Sequence, residues 1–290
     1  ELFDPGYFGI SPLHAEVIDP QERLFLMSCW HALEDAGYGN DRWLAERGRA
    51  GLEVGVFVGV TAASYNLVGF EQSLAGQPQA ATLSFASIAN RVSHALGLTG
   101  PSLSVDTMCS SSLVALHMAC ESLRSGECAM AVAGGVNLNL HPSRMQTLAQ
   151  GRLISEDGTS RSFGAGGRGF LAGEGVASVV LKPLAAALQD GDTIHAVIRG
   201  SAVGHAGHTL NYFAPSSRGQ SRVMGKALDA AGLAADSVVY VELQCSGDEV
   251  TDAAEVDALK TGYHTRQRQG EPLRLGSVKP NIGHAEAAAG

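Results

Sequence analysis

Apolar residues follow two rhythms along this chain. Residues 54–60 (V-G-V-F-V-G-V) form a short apolar run rich in β-branched side chains, as expected of a strand buried on both faces. Residues 129–136 form a second such run, ending in Gly134 and Gly135, and 176–181, 193–204, 238–243 and 273–278 are further predicted strands. Between them apolar positions recur at helical spacing. Asp19 is a plausible N-cap with Pro20 at the first helical position, opening a helix that runs to Ala36 and stops at Gly37. Residues 84–96 carry Phe85, Ile88, Val92 and Leu96 on one face, and 97–101 break that helix. Residues 221–231 and 252–261 are predicted helices. Residues 1–12 read as a loop anchored by Phe3, Tyr7 and Phe8, and 42–51 as a polar stretch of mobile character. Residues 150–175, rich in Gly, Ser and Arg, read as a long irregular loop, a kind that is often functional. Strands alternating with helices predict parallel sheets in a layered α/β fold.

The richest chemistry lies at 104–116, S-V-D-T-M-C-S-S-S-L-V-A-L. A short strand (103–105) leads into a turn containing Cys109. An apolar series at helical spacing follows, Leu113, Val114, Leu116, Met118, Ala119 and Leu123. Cys109 is thereby placed where a strand ends and a helix begins. Unpaired N–H groups and the helix dipole at that point favour a thiolate and can hold the oxyanion of a thioester under attack. A lone cysteine is more often a small buried hydrophobe. The long and specific string around it, with Asp106 and three serines, favours a nucleophile.

Bulk properties narrow the function classes. A chain of 290 residues allows one large domain or two small ones, and 45% hydrophobic residues with 36 glycines suit a tightly turned α/β protein. The formal net charge of −9, without a long basic run, argues against nucleic acid. No apolar stretch approaches the ~20 residues that span a bilayer. No secretory signal is read at the N-terminus. The five cysteines (29, 109, 120, 128 and 245) are odd in number and lack metal-type C-x-x-C spacing. They point to free thiols, no metal site and a cytoplasmic location.

The string D-T-M-C-S-S-S-L-V-A-L resembles the active-site string of β-ketoacyl synthases, in particular the ketosynthase domains of modular polyketide synthases. Met108 is its one departure, at a position where the family usually has a small residue. D-P-Q-E-R-L-F-L and A-L-E-D-A-G-Y (19–38), G-P-S-L-S-V-D-T (100–107), A-G-G-V-N (133–137), G-E-G (173–175) and S-V-K-P-N-I-G-H (277–284) extend the likeness over nearly the whole chain. The resemblance implies a thiolase-like layered α/β/α/β/α fold, two related halves in five layers, dimeric in the family. It also implies a single ketosynthase domain over 1–290, cut short of the family's first strand and of its C-terminal part, within a multidomain protein. No cofactor is implied for the domain itself. The substrate would arrive on the phosphopantetheine of an acyl carrier protein, with other polyketide synthase domains as neighbours.

By the resemblance, Cys109 is the nucleophile, His284 matches the histidine of the family's N-I-G-H string, and Lys279 matches the lysine that organises the site. The family's other histidine lies in V-E-A-H-G-T-G-T-P-L-G-D-P-I-E-V. That string aligns without gaps on 241–256, here V-E-L-Q-C-S-G-D-E-V-T-D-A-A-E-V. Val241, Glu242, Asp252, Glu255 and Val256 hold the register, Gln244 falls on the histidine, and Cys245, Ser246 and Asp248 replace a glycine and two threonines. Gln donates hydrogen bonds but cannot exchange a proton near neutral pH. S-F-G-A-G-G-R-G-F (162–170) departs again, since the family usually has acidic residues at Gly164 and Arg168. The segment holding His205, His208 and Thr209 lines the substrate side in the family, which makes Met108, His208 and Thr209 substrate-binding candidates. Taken without the family, His205 and His208 are surface or packing histidines. His195 is expected in a strand with a structural part, and Asp157, Glu174 and Glu242 as loop or packing carboxylates.

These features favour a non-elongating ketosynthase, which accepts an acyl chain on Cys109 and passes it on without adding carbons. S-P-L-H-A-E-V-I-D-P-Q-E-R and G-S-A-V-G-H-A-G-H-T resemble synthases served by free-standing acyltransferases. The alternatives are a condensing enzyme using Gln244 as a repositioned donor, and a non-catalytic scaffold for a dimer or partner enzyme. A thiolase proper fits least, since thiolases need a second cysteine late in the chain.

Overall fold

The computed structural model of the chain describes residues 3–39, 53–77, 84–264 and 272–290, so the polar stretch at 42–51 lies outside the described residues. The chain forms two units. The first comprises Glu1–Gln146, Glu174–His195 and Ala285–Gly290, and the second Thr147–Gly173 and Ala196–His284.

In the first unit the elements run α1 (Pro12–Val17), α2 (Pro20–Asp35), β1 (Val54–Gly59), α3 (Tyr65–Leu74), α4 (Phe85–Leu96), β2 (Ser102–Val105), α5 (Ser111–Ser125), β3 (Met130–Asn137), α6 (Pro142–Gln150), β4 (Gly175–Leu181) and α7 (Leu184–Asp190). The last residues of α6 already belong to the second unit. The strands make one sheet in the order β2-β1-β3-β4. Alternation along β1 fills both of its faces. Val54, Val56 and Val58 join Phe25, Leu26 and Leu33 of α2 and Ile88 and Val92 of α4. Phe57 points the other way, to a layer of small residues: Ala115 and Ala119 of α5 against Ala131 and Ala133 of β3.

The start of α2 follows the expected cap. Asp19 accepts the Gln21 N–H at 2.6 Å, Pro20 opens the helix, and Gly37 ends it at φ 83°. Asp19 is fully buried, and burial pushes its carboxyl up to about 6. The buried Gln21 amide donates to the Ala62 carbonyl at 2.9 Å and accepts the Leu138 N–H at 3.2 Å, tying together the chain that leaves β1 and the chain that leaves β3.

Two expectations need correction. β4 pairs antiparallel with β3, not parallel. The reason lies in the register: Asn137, the last residue of β3, faces Gly175, the first of β4. The chain re-enters the sheet at the end where it left, so β4 must run back. Residues 193–204 form no strand. Their β-branched residues suit one, but a strand exists only where a neighbour completes its ladder. Val197, Ile198 and Val203 stay 46%, 38% and 44% exposed without one. His195 therefore sits outside any strand, with its Nε2 3.1 Å from the Asp35 carboxylate.

In the second unit, α8 (Ser217–Ala231), β5 (Tyr240–Glu242), α9 (Glu249–Leu259), β6 (Arg274–Gly276) and α10 (Lys279–Ile282) follow one another. β5 and β6 pair in parallel, and the predicted strands at 238–243 and 273–278 shrink to their three central residues each. A small core of Leu243, Cys245 and Leu259 packs with Met224, Val241 and Tyr263.

Candidate active site

In the first unit the turn between β2 and α5 carries Cys109, which is half-buried. Its neighbour Met108 takes φ 58°, a left-handed conformation that is uncommon for a side-chain-bearing residue. The turn holds that shape through its own polar groups. Asp106 accepts from the Met108 N–H at 3.1 Å and from the Thr61 hydroxyl at 2.8 Å. Ser111 accepts the Thr107 N–H at 2.9 Å and donates to the Met108 carbonyl at 2.6 Å. Ser110 donates to the Thr107 carbonyl at 2.8 Å, and Ser112 accepts the Gly290 N–H at 3.0 Å. Each of the three serines thus has a task in the turn or just after it.

Glycines let the first turn of α5 lie directly on the sheet. A Cβ on Gly59 of β1 would stand 2.4 Å from the Ser112 nitrogen. One on Gly135 of β3 would stand 2.9 Å from both the Ser112 Cβ and the Ala287 carbonyl oxygen. This accounts for Gly135 of A-G-G-V-N, whereas a Cβ on Gly134 would stand 2.1 Å from the Ala177 carbonyl oxygen of β4.

In the second unit Gln244 and His284 meet. The Gln244 Nε2 lies 2.7 Å from the His284 Nε2. His284 is 1% exposed, and its backbone is pinned on both sides: its N–H donates to the Leu171 carbonyl at 2.8 Å, and its carbonyl accepts the Gly173 N–H at 2.9 Å. The Phe170 ring covers the imidazole at 4.5 Å between centroids. Burial first, then the charge of Lys279, lowers the imidazole to about 4, so it is neutral at physiological pH. Lys279 is buried too, and its ammonium donates to the Leu243 carbonyl at 3.2 Å.

Two buried carboxylates shape the Gln244 loop. Glu255 takes the Gln244 N–H on one oxygen at 2.8 Å and the Cys245 N–H on the other at 2.9 Å. Asp252 takes the Gly247 N–H at 3.2 Å and the Phe163 N–H at 2.9 Å. Cys245 sits at φ 49°, and burial pushes its thiol up to about 11, which makes it a poor nucleophile. Asp248 caps α9, accepting the Val250 and Thr251 N–H groups at 3.2 and 3.0 Å. The glycines of 162–170 admit this loop: a Cβ on Gly167 would stand 2.5 Å from the Gly247 carbonyl oxygen, and the Gly169 N–H donates to that same oxygen at 2.9 Å. Arg168 pairs with Asp248 through a backbone bridge.

His208 and Thr209 lie in the second unit, on a stretch where Leu210, Tyr212 and Phe213 are 95%, 92% and 87% exposed. Thr209 donates to the Asn211 carbonyl at 2.6 Å, and the exposed His205 accepts the Gly207 N–H at 2.9 Å. Met108, in the first unit, is exposed. Asp157 holds Ser155, Thr159 and Arg161; Glu174 accepts the Asn139 N–H at 2.6 Å; Glu242 accepts the Val278 N–H at 2.7 Å. All three carboxylates serve loops. The register marked Glu255 and Asp252 but did not reveal their hold on the loop. A pair of buried carboxylates just after a site loop, with N–H groups to satisfy, is the signal that could have.

Residues 1–187 match the family model described as Beta-ketoacyl synthase, N-terminal domain, and residues 195–290 match Beta-ketoacyl synthase, C-terminal domain. The chain belongs to the β-ketoacyl synthase family. Among curated relatives, this ketosynthase is 50% identical to Polyketide synthase ThaG of Burkholderia thailandensis over 99% of the chain, and 46% identical to Polyketide synthase PksM of Bacillus subtilis over 100%. It spans only 5% and 7% of the length of those two proteins. Among solved structures, the oxazolomycin ketosynthase domain OzmH KS7 of Streptomyces albus superimposes with a TM-score of 0.93 at 45% identity, covering 99% of this chain and 49% of the other. The ketosynthase from module 6 of the bacillaene synthase of Bacillus subtilis gives 0.88 at 37% identity, covering 99% and 48%. The ketosynthase thus has the thiolase-like fold and is a ketosynthase domain of the modular polyketide synthase kind. No helix among its described residues is long and apolar enough to cross a membrane.

Proposed function

We propose that this ketosynthase is non-elongating: it takes an acyl chain from an acyl carrier protein onto Cys109 and hands it on without decarboxylative condensation. The Cys109 thiolate attacks the acyl thioester carbonyl. The bond to the phosphopantetheine sulfur breaks, and the carrier thiol departs with a proton. The reverse reaction delivers the chain to the next carrier. The domain itself holds no cofactor for this. Its partners are carrier proteins, the neighbouring polyketide synthase domains and a second copy of itself, in a cytoplasmic assembly served by free-standing acyltransferases. Met108, His208 and Thr209 are the residues proposed to face the acyl chain, and Lys279 the residue that organises the site and adds to the burial that holds His284 neutral.

The contact between Gln244 and His284 carries this reading. Condensation needs donors aimed at the oxygen of a malonyl thioester as carbon dioxide leaves. A neutral imidazole has one ring N–H. If the Gln244 amide nitrogen donates to Nε2, that N–H resides on Nδ1 and Nε2 offers no proton. If the amide is turned about, Nε2–H is spent on the amide oxygen. In either arrangement the His284 Nε2 has no N–H left to offer a substrate. Losing one such donor costs on the order of 3–4 kcal/mol, roughly a hundred- to thousandfold in rate. Loading and release use only Cys109 and its own turn, so they escape that loss.

The test is intact-protein mass spectrometry after incubation with an acylated carrier protein, with and without malonyl carrier. The expected result is an acyl adduct on Cys109, its transfer to a carrier, and no β-keto product. Gln244→His alone should restore little, because Cys245, Ser246 and Asp248 still shape the loop. Efficient formation of a β-keto thioester by the unmodified protein would instead establish a condensing enzyme, and absence of any adduct a scaffold.

A further inference from the structure

Arg144, in the first turn of α6, belongs to none of the motifs above. Its side chain is 17% exposed and forms an ion pair with Glu286, whose side chain is 3% exposed. The Arg144 Nε donates to the Glu286 Oε1 at 3.1 Å. Burying two charges is costly, and such pairs are weak devices for overall stability. A local task is the better account of this one.

The surroundings show what that task is. Glu286 opens the short 3-10 turn Glu286–Ala288 and itself takes φ 44°, a conformation that must be imposed by its contacts. This turn lies on the nucleophile's helix, where the Ala287 carbonyl and Ser112 crowd the same spot beside Gly135. Two residues beyond it, the Gly290 N–H donates to Ser112 at 3.0 Å. Burial weakens the basicity of Arg144, while negative charge on Cys109 and on Asp106 strengthens it, so the guanidinium lies within electrostatic reach of both. The charged groups gathered here are Asp106 in the cysteine's own turn, Arg144 from α6 and Glu286 from the 3-10 turn. His117 lies further along α5 itself.

We propose that Arg144 is a positioning residue for the nucleophile: its pair with Glu286 braces the 3-10 turn against the first turn of α5, and its positive charge offsets Asp106 where the Cys109 thiolate forms. This rests on Cys109 being the nucleophile but not on what acyl chain it carries. The test is the pH dependence of Cys109 alkylation by iodoacetamide in the full chain, followed by peptide mass spectrometry. Arg144→Met removes the positive charge beside Glu286, so the midpoint should rise by about one unit, with roughly tenfold slower labelling at pH 7. Glu286→Gln removes an anion and should lower the midpoint. Arg144→Lys should stay close to the wild type. An unchanged midpoint in folded Arg144→Met would overturn the proposal. So would shifts of Arg144→Met and Glu286→Gln in the same direction, which mark a purely structural brace. Should Arg144→Met fail to fold by circular dichroism, the opposite signs expected for Glu286→Gln and for Arg144→Gln decide it. The probe needs no carrier or acyl substrate. Failure of loading would therefore refute the proposed function while leaving this measurement intact.

Discussion

The turn around Cys109 and the loop around Gln244 hold their backbones by different means. In the first, Cys109, the proposed nucleophile, stands within the turn, and Asp106, Ser110 and Ser111 hold the backbone from inside it. In the second, Gln244 stands where the resemblance puts a histidine, and the backbone is gripped by Glu255 and Asp252 from the following helix. The scaffold of a site and its chemistry are thus separable. Carboxylates that satisfy backbone N–H groups keep a loop in place whatever side chain it presents. In the Cys109 turn the side chains that hold the backbone, Asp106, Ser110 and Ser111, lie within three positions of Cys109 itself.

That contrast can be broken from either side. The largest effect belongs to the nucleophile turn. Cys109→Ala should abolish acyl loading altogether in intact-mass measurements, while Cys29, Cys120, Cys128 and Cys245 acquire no acyl mass. Gly59→Ala should come close to it, since the new Cβ would enter the space of the Ser112 nitrogen and displace the turn. A loading rate within a fewfold of wild type for Gly59→Ala would show that the turn tolerates movement.

The second region should respond in stability more than in loading. Glu255→Gln weakens hydrogen bonds to two buried N–H groups that a charged acceptor now satisfies, and should cost about 2–3 kcal/mol. Chemical denaturation measures this, and loading of Cys109 should persist in whatever fraction stays folded. Loss of loading in a folded Glu255→Gln protein would tie the two regions together and end the contrast drawn above.

The smallest effect is a pH dependence. His284 is held near 4 against an unfolded value near 6.5. Between those values the unfolded chain binds a proton that the folded chain does not, so stability falls as pH falls through that window. From pH 7 to pH 5 the loss through this one group should be about 2 kcal/mol. It should shrink in His284→Gln, as read from thermal melts at the two pH values. Asp19 opposes it over an overlapping range, because its raised carboxyl binds a proton that the unfolded chain has already released. The comparison must therefore be between variants and not with wild type alone.

Much of this was legible in the sequence, for identifiable reasons. β1 and β3 are continuous apolar runs, and a strand buried on both faces has no other signature. Asp19, Pro20 and Gly37 mark α2 because capping chemistry is local. The gapless register over 241–256 singled out Gln244 by resemblance, and the structure brings Gln244 to His284. What escaped depends on partners distant in sequence. Leu67, Phe70 and Leu74 of α3 do have helical spacing, but they stay exposed, and no burial pattern flanks them. Residues 193–204 have the composition of a strand and no ladder, because pairing is not written in one segment. The direction of β4 follows from the end at which the chain re-enters the sheet. Arg144 and Glu286 carry no motif together, since 142 positions separate them.

The discontinuity of the first unit has a kinetic side. Its chain is interrupted by residues 147–173 and again by 196–284, and residues 285–290 return to it only after both excursions. Closing loops of such length adds little to the equilibrium cost, which grows only logarithmically, but non-local contacts of this kind slow folding. The turn that rests on Ser112 therefore reaches the first unit only after residues 196–284 have been laid down. Until it arrives, the small-residue layer beneath α5 can already be packed while the end that presents Cys109 still lacks its cover. Covering of the Cys109 end of α5 by this turn is in this sense timed by the order of the chain and separate from formation of the core.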